Sequence, residues 1–474
     1  MSTDPAVKEV SKEDSGHAFD EQRTKAYTMS YDDAEGSNQN VFFSVSEPLW
    51  ADDGQAAHPK GTIVLFHGAN EFSELYTDFI EQKTDDGFRV VTLDMPGSGR
   101  SSRDAQIGQN NLLHSDSLDE HSDAARKVIN WVSKQDEYAV NPGGLHFVSS
   151  LTGSVAALDT ISHLPAGSVE SITCINPVFD TDFIDITPGF DGAAHNDADS
   201  SAEVIKITGQ HLGSLREQFL KGSNTNYEDY SAQHDAAEKA APAQWTNGYV
   251  NALEQGISEI DTSTFGNPEI MKVLKSNDIT VGFIVDSKID QLGGVDMDET
   301  MSWAKHAKNI GVDINVTEKN GYGPDLLFNP DTKGLVDSQI NHTIQSGSPY
   351  IDIVDRLKTI HRVEWNQMDS SERQGLQTAL ESKGYSVGPT GIDGTPRYGG
   401  VAFTEHAIAQ FMIDADAAGK LRGADGENIK LSDLTESDFK ADAIKDMINM
   451  TDFTKPESDI QTHTVSSAAL VSKL

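Results

Sequence analysis

The chain of 474 residues is short of basic charge: 36 Lys+Arg stand against 75 Asp+Glu, a net charge of −39 with His neutral. That shortage excludes nucleic acid as an expected partner, because neutralising phosphates needs a basic surface. It disfavours anionic membrane surfaces for the same reason. One cysteine, Cys174, excludes an intramolecular disulfide. It lies in the apolar run ESITCINP and is expected to be a packed thiol. No stretch approaches the ~20 apolar residues of a membrane span, so no integral membrane segment is expected. The first residues, MSTDPAVKEVSKEDSG, lack both a basic start and an apolar run, which argues against a Sec signal peptide. No His/Cys spacing points to zinc, and neither metal nor cofactor is expected. The expected setting is a soluble protein, cytoplasmic or exported by a non-Sec route. The closing Ser472-Lys473-Leu474 matches a peroxisomal address as a lesser alternative.

What is present is a rhythm of short apolar runs. Residues 61–66 (GTIVLF), 88–94 (FRVVTLD), 145–150 (LHFVSS), 170–176 (ESITCIN) and 279–285 (ITVGFIV) suit strands buried on both faces. Between them lie stretches with apolar residues three and four apart, such as LDEHSDAARKVINWVSKQ. Strand–helix alternation predicts an α/β fold with a mostly parallel sheet. Residues 1–38 are polar and acidic and read as a mobile arm. Residues 39–350 read as the α/β domain, with a helical cap inserted over about 179–274. A connecting helix is expected over 351–367, a separate module over 368–450 and a flexible tail over 451–474. The acidic charge is spread over arm, cap and C-terminal module, which assigns it to the solvated surface.

Two Gly-rich turns follow the first strong strands: HGANEFSELY and DMPGSGRSSRD. Open α/β sheets place ligands at such strand ends. The His67-Gly68-Ala69-Asn70 turn is the expected oxyanion region, where backbone N–H groups can face a developing charge. With their order and spacing, His67, Gly68, Glu71, Ser73 and Tyr76, then Asp94, Gly97, Gly99, Arg100 and Ser101, resemble the α/β-hydrolase family. The likeness is to its lysophospholipase and monoacylglycerol lipase branch, and it runs over residues 40 to 350. It implies a helical cap, an acyl-chain pocket and a serine nucleophile on a G-x-S-x-G elbow.

The elbow reads VSSLTGSVAAL. Small residues two before and two after the nucleophile, Ser149 and Gly153, place Leu151 at the nucleophile position. Leucine has no nucleophilic atom. Ser150 is the alternative, with β-branched Val148 and Thr152 where small residues are needed. The resemblance puts the family's acid at Asp290, with Asp286 as an alternative, and its histidine at Pro324 in GYGPDLLF. Proline can neither accept nor donate a side-chain proton. His342, downstream, reads as a surface histidine.

Residues 370–411 carry LQTAL, GYSVG, GIDG and AIAQF in that order and resemble a small three-helix peptidoglycan-binding-like domain. The likeness implies a core of Leu376, Leu380, Tyr385, Ala407, Ile408 and Phe411, a turn at Gly391, Asp393 and Gly394, and peptidoglycan as a partner. The stretch from Asp414 to Asp425 superficially resembles a calcium loop, but Ala418 and Asp425 stand where stronger ligands are needed.

The sequence therefore predicts a non-catalytic α/β-hydrolase-like protein that binds a small acyl or lipid-like ligand and carries a wall-binding-like module. The alternatives are an active serine ester hydrolase using Ser150 with a relocated base, and a protein-interaction scaffold.

Overall fold

The apolar runs become the middle of one sheet in a computed structural model of the chain, which describes residues 5–10, 23–32, 38–49, 59–68, 71–101, 112–113, 117–138, 141–179, 204–205, 244–246, 252–253, 255–258, 267–286, 297–319, 326–327, 330–385, 387 and 401–455. The strands are β1 (Ala6–Val10), β2 (Thr24–Asp32), β3 (Asn38–Ser46), β4 (Thr62–Phe66), β5 (Arg89–Leu93), β6 (Leu112–Leu113), β7 (Leu145–Ser150), β8 (Val169–Ile175), β9 (Val204–Ile205), β10 (Gln244–Thr246), β11 (Thr280–Asp286) and β12 (Ile314–Lys319). Among the described residues, nine of them form one sheet in the order β1-β2-β3-β5-β4-β7-β8-β11-β12. From β5 to β12 every neighbour is parallel; β1, β2 and β3 add an antiparallel edge. All residues of β4, β5, β7 and β11 are buried, as continuous apolar runs covered on both faces require.

The expected arm over residues 1–38 is corrected by this edge. Residues 6–10 and 24–32 of it are strands of the sheet. In TKAYTMSYD the alternate residues Tyr27, Met29 and Tyr31 are buried, while the residues between them are polar. That period of two is a half-buried strand. It was obscured by the acidic composition around it.

The helices of this unit are α1 (Thr77–Asp85), α2 (Asp119–Lys134), α3 (Gly153–Ser162), α4 (Pro268–Ser276), α5 (Met297–Ile310) and α6 (Pro330–Gly347). Helix α2 buries His121, Ala124, Ala125, Val128, Ile129 and Val132, three and four apart, and packs against α3. Helix α4 starts on Asn267, whose side chain accepts the Glu269 N–H, with Pro268 at the first position. Helix α6 lies on β8 and β11. It is tied to α1 through Lys83, a fully buried lysine that pairs with Asp337 and donates to Asn341 at 2.7 Å. In the cap interval, the described residues 204–205 and 244–246 are strands, whereas 252–253, 255–258 and 268–274 are helical. The strands form a three-stranded sheet, β6-β10-β9, that includes Trp245.

The chain divides into two units: one from residues up to 135 and 144–347, the other from 136–143 and 348 onward. The second contains α7 (Pro349–Trp365), α8 (Ser370–Ser382), α9 (Val401–Ala417) and α10 (Ala441–Met450). Helix α7, expected as a connector, packs against α9 within this unit. Helix α8 opens with a capping box between Asp369 and Glu372. Leu376, Leu380, Tyr385, Ala407, Ile408 and Phe411 are all buried, whereas Gly391, Asp393 and Gly394 lie outside the described residues. The first residues of the expected tail are tied down: Thr451 is buried, Lys383 donates to its carbonyl, and the Lys455 N–H donates to Lys383 O at 2.9 Å. Residues 456–474 lie outside the described residues. At the calcium-like stretch, Asp414 accepts from Tyr385 and Gln410, and Asp416 from the Leu431 N–H. No described helix is long and apolar enough to cross a membrane.

Candidate functional site

From His146 to Ser150, strand β7 pairs in register with β8, ending with Ser150 opposite Ile175. The next residue leaves the strand. Leu151 has φ +48°, and α3 begins two residues later at Gly153. A left-handed conformation costs an ordinary L-residue about 1–2 kcal/mol. It persists here because the surroundings fix it. The Leu151 N–H donates to Ile175 O at 2.9 Å, so the turn is still pinned to the sheet. Gly153 is required on the helix side: a Cβ there would lie 2.5 Å from Phe66 O and 2.6 Å from His67 O. On the other side of the turn, Ser149 points into the core. Its hydroxyl lies 3.0 Å from that of Ser154, and both bond the Cys174 thiol. Burial pushes that thiol up to about 12, against the pull of the two serines, so Cys174 is an inert packed group.

Leu151 stands opposite the His67-Gly68 turn at the end of β4. A Cβ built on Gly68 would lie 3.2 Å from Leu151 Cβ. His67 is buried and spoken for at both ring nitrogens: Nδ1 lies 2.8 Å from Gly68 O, and Nε2 accepts the Met95 N–H at 2.9 Å. That pair of partners fixes the neutral tautomer protonated on Nδ1. Glu71 holds the turn from beneath, where Oε2 accepts the Gly68 N–H at 2.5 Å and the Tyr76 hydroxyl at 2.5 Å.

The second Gly-rich turn is locked to the first. Asp94 Oδ1 accepts the Ser73 N–H at 2.9 Å and the Ser73 hydroxyl at 2.6 Å, and Oδ2 accepts the Arg100 N–H at 2.7 Å. Gly99 has φ +49°, and any Cβ there would collide with the Asp94 carboxylate. Arg100 pairs with Glu74, and Ser101 bridges Asp94 O to the Phe42 N–H. Both motifs are thus one hydrogen-bonded frame at the C-terminal ends of β4 and β5.

Sequence reasoning missed His121, on the first turn of α2. With His67, Gly68, Thr152 and Leu253 it lines a cavity of about 10 Å³, the space of about one water. Burial pulls its pKa down to about 3 against a bond to Pro96 O. It is therefore neutral at ordinary pH. Only the helical face that α2 turns inward marks it in the sequence, and that mark is shared with six other residues of the helix.

The structure brings His67, Gly68, Ser150 and Leu151 to neighbouring strand ends. Ala69, Asn70, Asp290 and Pro324 lie outside the described residues. Asp286 is buried at the end of β11, where its N–H donates to Asn176 Oδ1 at 2.8 Å. His342 is exposed on α6. Among the described residues, no group of three or more His, Cys, Asp or Glu is placed to hold a metal ion.

A nine-stranded sheet with an antiparallel edge, a left-handed strand–helix turn and a Gly-bearing turn opposite it matches known proteins in sequence and in architecture. Residues 57–258 match the family of serine aminopeptidases, S33. A lipase solved in its open form superposes with a TM-score of 0.50 at 14% identity, over 72% of this chain and 99% of that one. The chain has the α/β-hydrolase fold. A soluble variant of monoglyceride lipase from Saccharomyces cerevisiae, in complex with a substrate analogue, superposes with a TM-score of 0.48 at 12% identity, over 73% of this chain and 96% of that one. No curated protein matches the sequence.

Proposed function

We propose that this α/β-hydrolase-fold protein is a binding protein that has lost catalysis, with a small acyl or lipid-like ligand at the end of β7. The observation that carries the reading is Leu151. An α/β-hydrolase displays its nucleophile on a sharp, strained strand-to-helix turn. At the strand-to-helix turn after β7 the residue with left-handed backbone is Leu151, with φ +48°, followed by the required Gly153 and facing Gly68. Ser150 is one residue earlier, in regular β pairing with Ile175. A strand residue is not on the turn, which supports the register that puts an aliphatic side chain where attack would begin. The substitution of the histidine position by Pro324 stands on the sequence resemblance alone and points the same way. His67 does not replace it, since its acceptor nitrogen holds the Met95 amide.

The test is a fluorophosphonate probe together with short- and long-chain p-nitrophenyl esters. The reading expects no covalent label and no turnover above the free ester's own rate. Labelling that maps to Ser150 would overturn it in favour of an active ester hydrolase. For the second unit we propose cell-wall glycan binding, supported by the order of LQTAL, GYSVG and AIAQF and the buried Leu376, Leu380 and Phe411. Co-sedimentation with purified peptidoglycan sacculi tests it; a protein that stays in the supernatant removes that role and leaves the scaffold reading for this unit.

A further inference from the structure

Helix α1 buries Phe79, Ile80, Lys83 and Thr84, so a lysine stands on its inward face. None of the Lys83 side chain is exposed. Helix α6 meets it with Asp337 and Asn341, one turn apart on one face. Two contacts fix the register of the helices. Lys333 Nζ donates to Asp78 at 3.2 Å, and about two turns further along α6 Lys83 Nζ donates to Asn341 Oδ1 at 2.7 Å. The Asn341 amide is oriented by Asp337, whose Oδ2 accepts from Asn341 Nδ2 at 3.3 Å. The other oxygen of the same carboxylate, Oδ1, pairs with Lys83 Nζ. One carboxylate therefore touches both the amine and the amide nitrogen. Asp86, more exposed, is the amine's third partner at 3.3 Å.

We infer that Lys83 and Asn341 join in an intramolecular isopeptide bond. A proton passes from Nζ to Asp337, which leaves an amine and a carboxylic acid, the neutral pair that burial favours over two charges. Nζ then attacks Asn341 Cγ, one bond from the oxygen it already contacts. The Nζ–Cγ bond forms and the Cγ–Nδ2 bond breaks. Of the three Nζ protons one stays on the new amide. Asp337 carries the other two, in turn, to Nδ2, which leaves as ammonium while Asp337 returns to a carboxylate. No oxidant, metal or cofactor enters the balance. Amide exchange is slow between free molecules, and holding amine, amide and proton carrier in contact supplies the effective concentration that it lacks. The bond would join residues 258 apart. In a chain with one cysteine it closes a long loop that no disulfide can. Neither Leu151 nor the second unit takes part, so the inference stands apart from the proposed function.

The experiment is intact-mass spectrometry of the full chain in denaturant, followed by tryptic mapping. Expected are a mass one ammonia molecule below that of the sequence and a branched peptide in which Lys83 is uncleaved and linked to Asn341. Lys83→Arg keeps the charge and Asn341→Ala removes the amide; each is expected at its full sequence mass, with the circular dichroism of the native chain. Asp337→Ala is expected to leave the chain unlinked. A native chain at full mass overturns the inference, and this measurement decides it even where a variant fails to fold. An ammonia loss that persists in Lys83→Arg places the reaction elsewhere and overturns it too. Native yield of the branched peptide in Asp337→Ala overturns the role of Asp337 as proton carrier.

Discussion

The Asp94 carboxylate receives the backbone N–H and the hydroxyl of Ser73 through a single oxygen, at 2.9 and 2.6 Å. This contact joins two sequence motifs separated by a helix and a strand. Its second oxygen takes the Arg100 N–H, so the buried charge is balanced by three donors. Replacing Asp94 by Asn presents an amide N–H to at least one of those donors. The expected loss is about 2–3 kcal/mol, read as a lower urea midpoint at unchanged slope. Ser73→Ala removes one hydroxyl and is expected to cost about 1 kcal/mol. Equal losses in the two variants would show that the carboxylate does not organise both turns.

The strained turn predicts an order among substitutions at Leu151. A β-branched side chain fits a left-handed φ worst, so Leu151→Val is expected to destabilise by about 1–3 kcal/mol. Leu151→Gly releases the strain and should cost less than the valine variant despite the lost side chain. Thermal unfolding of the two decides it. Leu151→Ser is expected to fold and still show no ester turnover, because a hydroxyl without a proton acceptor is a poor nucleophile. Turnover in that variant would mean that a base is present near the elbow.

Lys83 and Asp337 form a second testable pair. The lysine is fully buried and the aspartate largely so. Lys83→Met leaves the carboxylate unmatched, and a loss of about 3 kcal/mol is expected. The double variant Lys83→Met, Asp337→Leu should recover most of it, because the desolvated charge goes as well. A double-mutant cycle by denaturant titration, on an Asn341→Ala chain that cannot form the Lys83–Asn341 bond, measures the coupling. Additive losses would show that the two side chains act independently.

His121 predicts an acid-sensitive fold. Its folded pKa, about 3, is below the ordinary histidine value of 6.5. Between those values the unfolded chain binds a proton that the folded chain refuses. Stability therefore falls as pH drops from 6.5 towards 3, by up to tenfold in the folding equilibrium per pH unit. His121→Gln should show a shallower fall over that window than the native chain, in urea midpoints taken at successive pH values. Parallel curves would remove His121 as the cause.

The fold class was legible because five runs of apolar residues needed no partner information to be read as buried strands. The missed strands carry weaker signals. TKAYTMSYD alternates, but its buried positions are two tyrosines and a methionine among polar neighbours. INVTEK, which became β12, buries only Ile314. INVTEK is an edge strand, with one covered side at most, so its composition approaches that of a loop, whereas TKAYTMSYD pairs on both sides and is covered on one face only. At the candidate site, the spacing of Ser149 and Gly153 marks the turn, since small residues are forced by close backbone contact. The positive φ of Leu151 leaves no such trace, because it is imposed by Ile175 at the end of β8 and by Phe66 and His67 at the end of β4. The roles of Glu71 and Tyr76 in holding the Gly68 amide were equally hidden. Their letters fit a motif, but the shared oxygen is a matter of tertiary approach.

The hairpin of β2 and β3 has a practical meaning for anyone who trims this protein. Residues 24–32 pair with 38–46 over nine consecutive positions, and β3 in turn joins the sheet through β5. Cutting the chain at residue 39, where composition alone invites a clean start, would strip the flank from β3. A row of unsatisfied amides and carbonyls, with Phe43 and its apolar neighbours beside it, would then face solvent. Such a fragment is set up to stack on its own copies, so insolubility of a shortened protein would report a severed hairpin and not a defect in the hydrolase-like core.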